Sequence, residues 1–204
     1  MKQSTIKKIW TFLFLTITVA SLGQTAQTSR LSGKSIFSLQ VGYPFPASGS
    51  TFNRIYNGVF DARLGYERIK KKLSFGGNIG YSHFQINRHV LDLNGTMTIL
   101  SPGITAGYEV QVFKILFIHS ILKCGYDFIT FNGKDGNENS RPSFQDGGAS
   151  FLPIVSLEYY LNRNLGIGIS GSYEVIFQRF GNNAVKEEST TTIIDCGLKL
   201  IYKL

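Results

Sequence analysis

The chain has two cysteines, five prolines and one tryptophan among 204 residues, and only 17% of its residues are charged. Two cysteines cannot build a disulfide framework, and a chain of this length does not need one to close a core. No apolar run reaches the roughly 18 residues of a membrane-spanning helix, and no apolar stripe is sustained at the helical period. With 43% hydrophobic residues the chain is not disordered, and its length suits one domain at most. Nucleic-acid binding is not expected either. The formal charge is +8, but Lys2, Lys7 and Lys8 lie at the extreme N-terminus and Arg68, Lys70, Lys71 and Lys72 fall in one turn, so the surplus is local.

The first segment reads as an address. Met1 to Lys8 carries three lysines and no acid, and Ile9 to Leu22 is an uncharged stretch of 14 residues. That is too short to span a bilayer but fits the apolar region of a secretory signal, about 7 to 15 residues after a basic start. Ser21 and Gly23 are the small residues signal peptidase requires, so cleavage is expected before Gln24, and no cysteine stands there to receive lipid. Residues 1–23 are thus a signal peptide, 24–33 a short N-terminal segment, and 34–204 the folded unit.

That unit alternates apolar and polar side chains, the period of a strand with one face on each side. Eight strands are expected, at about Lys34 to Tyr43, Tyr56 to Glu67, Leu73 to Phe84, Thr98 to Val110, Ile115 to Phe128, Phe151 to Leu161, Leu165 to Phe177 and Thr191 to Leu204. In the first, Phe37, Leu39, Val41 and Tyr43 oppose Ser38, Gln40 and Gly42. In the last, Ile194, Cys196, Leu198, Leu200, Tyr202 and Leu204 oppose Asp195, Gly197, Lys199 and Lys203. Val110 and Val175 belong to the apolar phase of their strands, and no charged residue is expected on that phase. Pro102 weakens the opening of the fourth strand.

One tyrosine per strand lies in the apolar phase. Tyr43, Tyr81, Tyr126 and Tyr173 come late in odd strands, and Tyr66, Tyr108, Tyr159 and Tyr202 late in even ones. In an up-and-down barrel that ordering makes two rings, the arrangement of aromatic girdles at two membrane interfaces. The links fit the same layout. Those after even strands are short (Arg68 to Lys72, Gln111 to Lys114, Asn162 to Asn164), while those after odd strands are longer: Pro44 to Ile55, Gln85 to Met97, Thr130 to Ser150 and Gln178 to Thr190. Short turns belong to the periplasmic side of such barrels and long loops to the outside.

A soluble ligand-binding barrel would differ only in which phase faces in, and volume decides. The lumen of an eight-stranded barrel just holds its side chains, and the polar phase supplies the small ones, including Gly42, Gly65, Gly80, Gly107, Gly125 and Gly197. The fold expected is an all-β, eight-stranded antiparallel up-and-down transmembrane barrel.

At this point the chain resembles the small outer-membrane β-barrel proteins of the OmpA/OmpX type, and the outer-membrane β-barrel domain family of the Bacteroidetes, the PorT-like porins. The resemblance rests on Ser21-Leu22-Gly23-Gln24, the eight alternating strands, and the closing strand Gly197-Leu198-Lys199-Leu200-Ile201-Tyr202-Lys203-Leu204, which looks like the signal read by the barrel-insertion machinery. The family signal usually ends in an aromatic residue, where this chain has Leu204. It implies a location in the outer membrane of a Gram-negative bacterium, with membrane lipid and the insertion machinery as partners and an envelope or extracellular partner at the long loops.

The polar phase carries Asp61, Glu67, Glu109, Asp127, Glu158, Glu174 and Asp195 with Arg63, Lys123, Lys199, Lys203 and His119. Isolated buried charges are too costly, so these are expected to pair into a network that fills the lumen, with Arg63 and Glu67, and Lys199 and Asp195, as pairs that Gln40 could join. A narrow pore is the alternative function, and a lipid-modifying enzyme the second. Catalysis has little to rest on: His119 and Ser120 project to opposite faces, and His83 and His89 have no nucleophile at fixed spacing. Asp135, Asn137, Asn139 and Asp146 mimic part of a calcium loop, but Ser140 stands where glycine is needed and Pro142 intrudes, so a solvated loop is expected. Neither a metal nor a cofactor is expected. Cys124 and Cys196 sit in the apolar phase of strands that are not neighbours, which suits lipid-facing thiols.

Overall fold

The computed structural model describes residues 33–47, 55–86, 94–134, 143–180 and 187–204. The expected signal peptide, most of segment 24–33, His89 and the core of the calcium-like loop lie outside the described residues.

Eight strands form one closed barrel in chain order. They are β1 (Lys34–Pro46), β2 (Tyr56–Lys70), β3 (Leu73–Ile86), β4 (Asn94–Phe113), β5 (Leu116–Lys134), β6 (Ser143–Tyr160), β7 (Leu165–Phe180) and β8 (Glu187–Lys203). Every neighbouring pair is antiparallel, and β1 closes on β8 with Leu39 opposite Leu200 and Val41 opposite Leu198. Closure gives every strand two partners, so no sheet edge runs the height of the wall.

Several strands outrun their alternation. β4 begins at Asn94, β5 runs to Lys134, β6 begins at Ser143 and β8 at Glu187. The polar stretches beyond the alternating segments read as loop, yet across the β5–β6 hairpin Phe131 still faces Phe144 and Asn132 faces Ser143. Backbone ladders continue wherever a partner strand is present, whatever the side-chain pattern. The long links shrink to residues 47–55, 87–93, 135–142 and 181–186, with the short ones at 71–72, 114–115 and 161–164, so the asymmetry of the two ends stands.

The outer wall is apolar. Phe37, Leu64, Phe75, Ile104, Phe128, Ile169, Leu198 and Leu200 are all exposed, as are Cys124 and Cys196. Val110 and Val175 depart from that pattern: both are buried although their phase is the outward one, and nothing in the structure explains it.

Proline interrupts this wall twice. β4 runs straight through Pro102, but its ladder to β5 lapses between Leu100–Phe128 and Gly103–Gly125; at Pro153 the β6–β7 ladder lapses between Phe151–Val175 and Ile154–Ser172. Register is kept across both gaps. Proline has no N–H for the ladder, and in a closed barrel there is no edge on which to hide that loss. At the first gap the backbones approach so closely that a Cβ on Gly125 would run into the Pro102 carbonyl. Gly125→Val should therefore lower the stability of the barrel by about 1–3 kcal/mol through overpacking, read as a lower urea midpoint in detergent or lipid. Gly33→Val, whose Cβ meets nothing, is a poor control because Gly33 has a φ of 92°, so Leu204→Val at the exposed end is the better one.

Candidate functional site

All twelve ionisable residues of the polar phase project into the lumen, and none is more than 6% exposed. They lie in two tiers. Towards the long loops, the Arg63 Nε donates to Asp61 Oδ1 at 2.7 Å, and its Nη2 lies 3.8 Å from Glu174 Oε2. Lys123 Nζ sits 3.5 Å from Glu174 Oε1 and 3.9 Å from Asp127 Oδ1, and donates to the Ser101 carbonyl at 3.0 Å. Gln40 Nε2 donates to Asp195 Oδ2 at 2.7 Å across the closing strands. Hydroxyls complete the tier, from Ser82 to Asp61 and from Ser150 to Asp127.

The tier nearer the short turns centres on Glu158. Its Oε1 accepts from Lys199 Nζ at 2.8 Å and from Ser156 Oγ at 2.9 Å, and its Oε2 accepts from the Tyr160 hydroxyl at 3.0 Å. His119 bridges two acids, with Nδ1 3.4 Å from Glu158 and Nε2 3.3 Å from Glu67. Lys203 Nζ is 3.9 Å from Glu109 Oε1 and lies over the Tyr160 ring, 3.1 Å from its centroid.

The expected pairs Arg63–Glu67 and Lys199–Asp195 do not form. Four residues along a strand span roughly 13 Å, so such a partner competes poorly with a carboxylate two residues away or across a narrow lumen. Arg63 takes Asp61 and Glu174; Lys199 takes Glu158. Lys123 and Asp127, at the same spacing, come no nearer than 3.9 Å.

Apolar side chains close both ends of this network. Ile36, Ile69, Phe117, Tyr160 and Ile201 form a buried cluster at the short-turn end, and Phe84, Met97, Ile99, Ile129, Ile176 and Ile193 form another towards the loops. Between the tiers, Ile121, Leu152 and Ile154 pack on the β5–β6 wall. Sequence reasoning missed both plugs, although the signal was present: these residues are apolar side chains on the otherwise polar phase, gathered at strand ends. It also missed Ser74, Ser82, Ser150, Ser156 and Tyr160 as hydrogen-bonding members, though they share the phase of the charges.

One local arrangement looks catalytic. Ser74 Oγ lies 2.9 Å from His119 Nε2, with Glu158 on the other ring nitrogen. Yet Nε2 is shared with Glu67, and Ser74 is fully buried opposite Ile69 of the turn-end plug. A nucleophile needs a base of its own and room for a substrate; this serine shares its base with Glu67 and is wholly buried. Among the described residues no group of three or more His, Cys, Asp or Glu could hold a metal ion. Asp146, the one described member of the calcium-like loop, accepts instead from the Gly147 backbone N–H at 2.7 Å.

All eight tyrosines of the apolar phase point outward, six of them exposed and Tyr108 and Tyr173 half-buried. Phe37 stands opposite both Tyr66 and Tyr202, its ring 4.9 Å from that of Tyr66.

Since the partners of a buried charge hold it in place, removing one strands the other. Lys199→Met should cost about 3–5 kcal/mol, because Glu158 keeps its burial and loses its cation; Lys114→Met, on an exposed turn, should stay within about 0.5 kcal/mol. Equilibrium unfolding of both variants in lipid checks the contrast.

No family model matches the chain, and no curated protein matches it. Solved structures do. A major outer membrane protein from Thermus thermophilus is similar with a TM-score of 0.58 at 12% identity, over 83% of this chain and 99% of that one. The outer membrane protein OprG from Pseudomonas aeruginosa has a TM-score of 0.57 at 14% identity, over 86% of this chain and 98% of that one. Ail, the attachment invasion locus protein of Yersinia pestis, solved in complex with the heparin analogue sucrose octasulfate, has a TM-score of 0.52 at 16% identity, over 85% and 99%. At these identities the likeness concerns the fold: the chain is a closed eight-stranded barrel of the architecture used by outer-membrane proteins.

Proposed function

We propose that this chain is a non-enzymatic integral protein of the outer membrane of a Gram-negative bacterium, exported by residues 1–23, with the short turns in the periplasm and the long links outside. Its barrel is an anchor whose lumen conducts nothing, and its loop end serves an envelope-structural or partner-binding role. The apolar belt supports insertion, because side chains such as Ile104 and Leu198, at 73% and 70% exposed, would be costly to leave in water around a full circumference. The tyrosines of both strand sets suit the two interfaces of that belt.

The observation that carries the reading is the double plug. A pore needs a continuous wet path, and here a file of ions meets Phe84, Ile99 and Ile193 at one end and Ile36, Phe117 and Ile201 at the other, all buried. An enzyme acting on lipid needs its reacting groups to reach the belt, and Ser74 and His119 face away from it.

Purified protein should show a heat-modifiable band, migrating differently when unboiled, and no conductance steps in planar bilayers. Regular steps from the wild-type chain would overturn the sealed lumen. Cells expressing wild type and Ser74→Ala should have the same lipid A profile by mass spectrometry.

A further inference from the structure

At the short-turn end, among the described side chains, two cations stand on the outward phase that was expected to be uncharged. On β2 the exposed Leu64 and Tyr66 are followed by Arg68 and Lys70, also exposed. Their strand was expected to end at Glu67, which left both in the turn; the ladder instead continues, with Arg68 opposite Phe75 and Lys70 opposite Leu73. Alternation therefore delivers them to the outer wall beside Phe75, which is 58% exposed. Arg68, Lys70, Phe75 and Gly33 line an open depression of about 430 Å³.

The other charged side chains described at this rim have the same sign. Lys71 and Lys72 make the neighbouring turn, Lys114 and Arg163 stand in the other two, and Lys34 opens β1. Among the described residues no carboxylate side chain is exposed at this end, because Glu67, Glu109 and Glu158 are buried in the lumen. Lys71 also holds a left-handed backbone with φ 60°, in a two-residue hairpin turn where Gly or Asn is the usual choice.

We propose that this rim binds the phosphate headgroup of an anionic phospholipid in the leaflet facing the short turns, with Arg68 and Lys70 on the phosphate and Phe75 against the upper acyl chain. Cations beside an exposed aromatic side chain on the outer wall match an amphiphile better than a soluble anion. The guanidinium fork suits phosphate oxygens, and both stems can lie along the apolar wall while their heads stay at the interface. The inference rests on the membrane-barrel reading with its turns in the periplasm, but not on the sealed lumen.

The test uses the folded full chain in nanodiscs of phosphatidylcholine mixed with phosphatidylglycerol, scoring co-purified lipid by native mass spectrometry. The wild type should enrich phosphatidylglycerol, and that preference should fall about fivefold for each cation removed in Arg68→Gln and Lys70→Gln. Arg68→Lys, which keeps the charge but loses the fork, should retain more of it than Arg68→Gln, and Lys134→Gln at the loop end should leave it unchanged. Lys71→Gly should raise the urea midpoint while lowering the preference, a pair of effects that a merely structural lysine would not give. A wild-type preference retained in the Arg68→Gln/Lys70→Gln double variant, or abolished by millimolar inorganic phosphate, overturns the inference. If the protein shows no heat-modifiable band, the membrane reading itself fails; a heat-modifiable band without lipid preference overturns the headgroup site alone.

Discussion

Charge compensation inside a narrow lumen is the constraint on which this structure depends. Seven carboxylates face four basic side chains and one histidine within the barrel, all buried. The wall is one residue thick, so each inward side chain has only its neighbours and the far wall to meet. Isolated ions there would be prohibitive. The two tiers answer with shared partners: Glu158 holds Lys199, Ser156 and Tyr160, while Arg63 spans Asp61 on β2 and Glu174 on β7. Contacts across the lumen tie strands that are not hydrogen-bonded to one another, so the network braces the barrel as well as filling it.

The same network repairs the wall. Where Pro102 interrupts the β4–β5 ladder, the preceding carbonyl of Ser101 accepts from the Lys123 ammonium. Glu174, beside the second gap at Pro153, is the acid to which Lys123 turns. Two lapses in the backbone ladder thus lie next to one buried lysine, and the absence of a Cβ at Gly125 lets β4 and β5 stay close at the first. The plugs then exclude water from a region where it would weaken every ion pair.

Much of this was legible in advance. Strand number, chain-order closure and the facing of almost every side chain follow from a period of two and from a polar phase rich in glycines small enough for a narrow lumen. Ion-pair partners were not legible: alternation says that Lys199 points inward but not that Glu158, 41 residues earlier, is the carboxylate opposite it. Strand ends escaped as well. The ladder that carries β2 to Lys70 is made with β3, and only that pairing moves Arg68 from a turn to the outer wall.

By itself, the amino-acid order determined which side chains share a face, because consecutive residues of a strand must point to opposite sides and no other geometry sorts Phe37, Leu39 and Val41 from Ser38, Gln40 and Gly42. Only the closed tertiary structure decided which inward residues meet, since that depends on strand stagger and on the breadth of the lumen. It also decided that the inward isoleucines and phenylalanines at the strand ends gather into two seals, because eight separate strands contribute to them and no single stretch of chain contains either one.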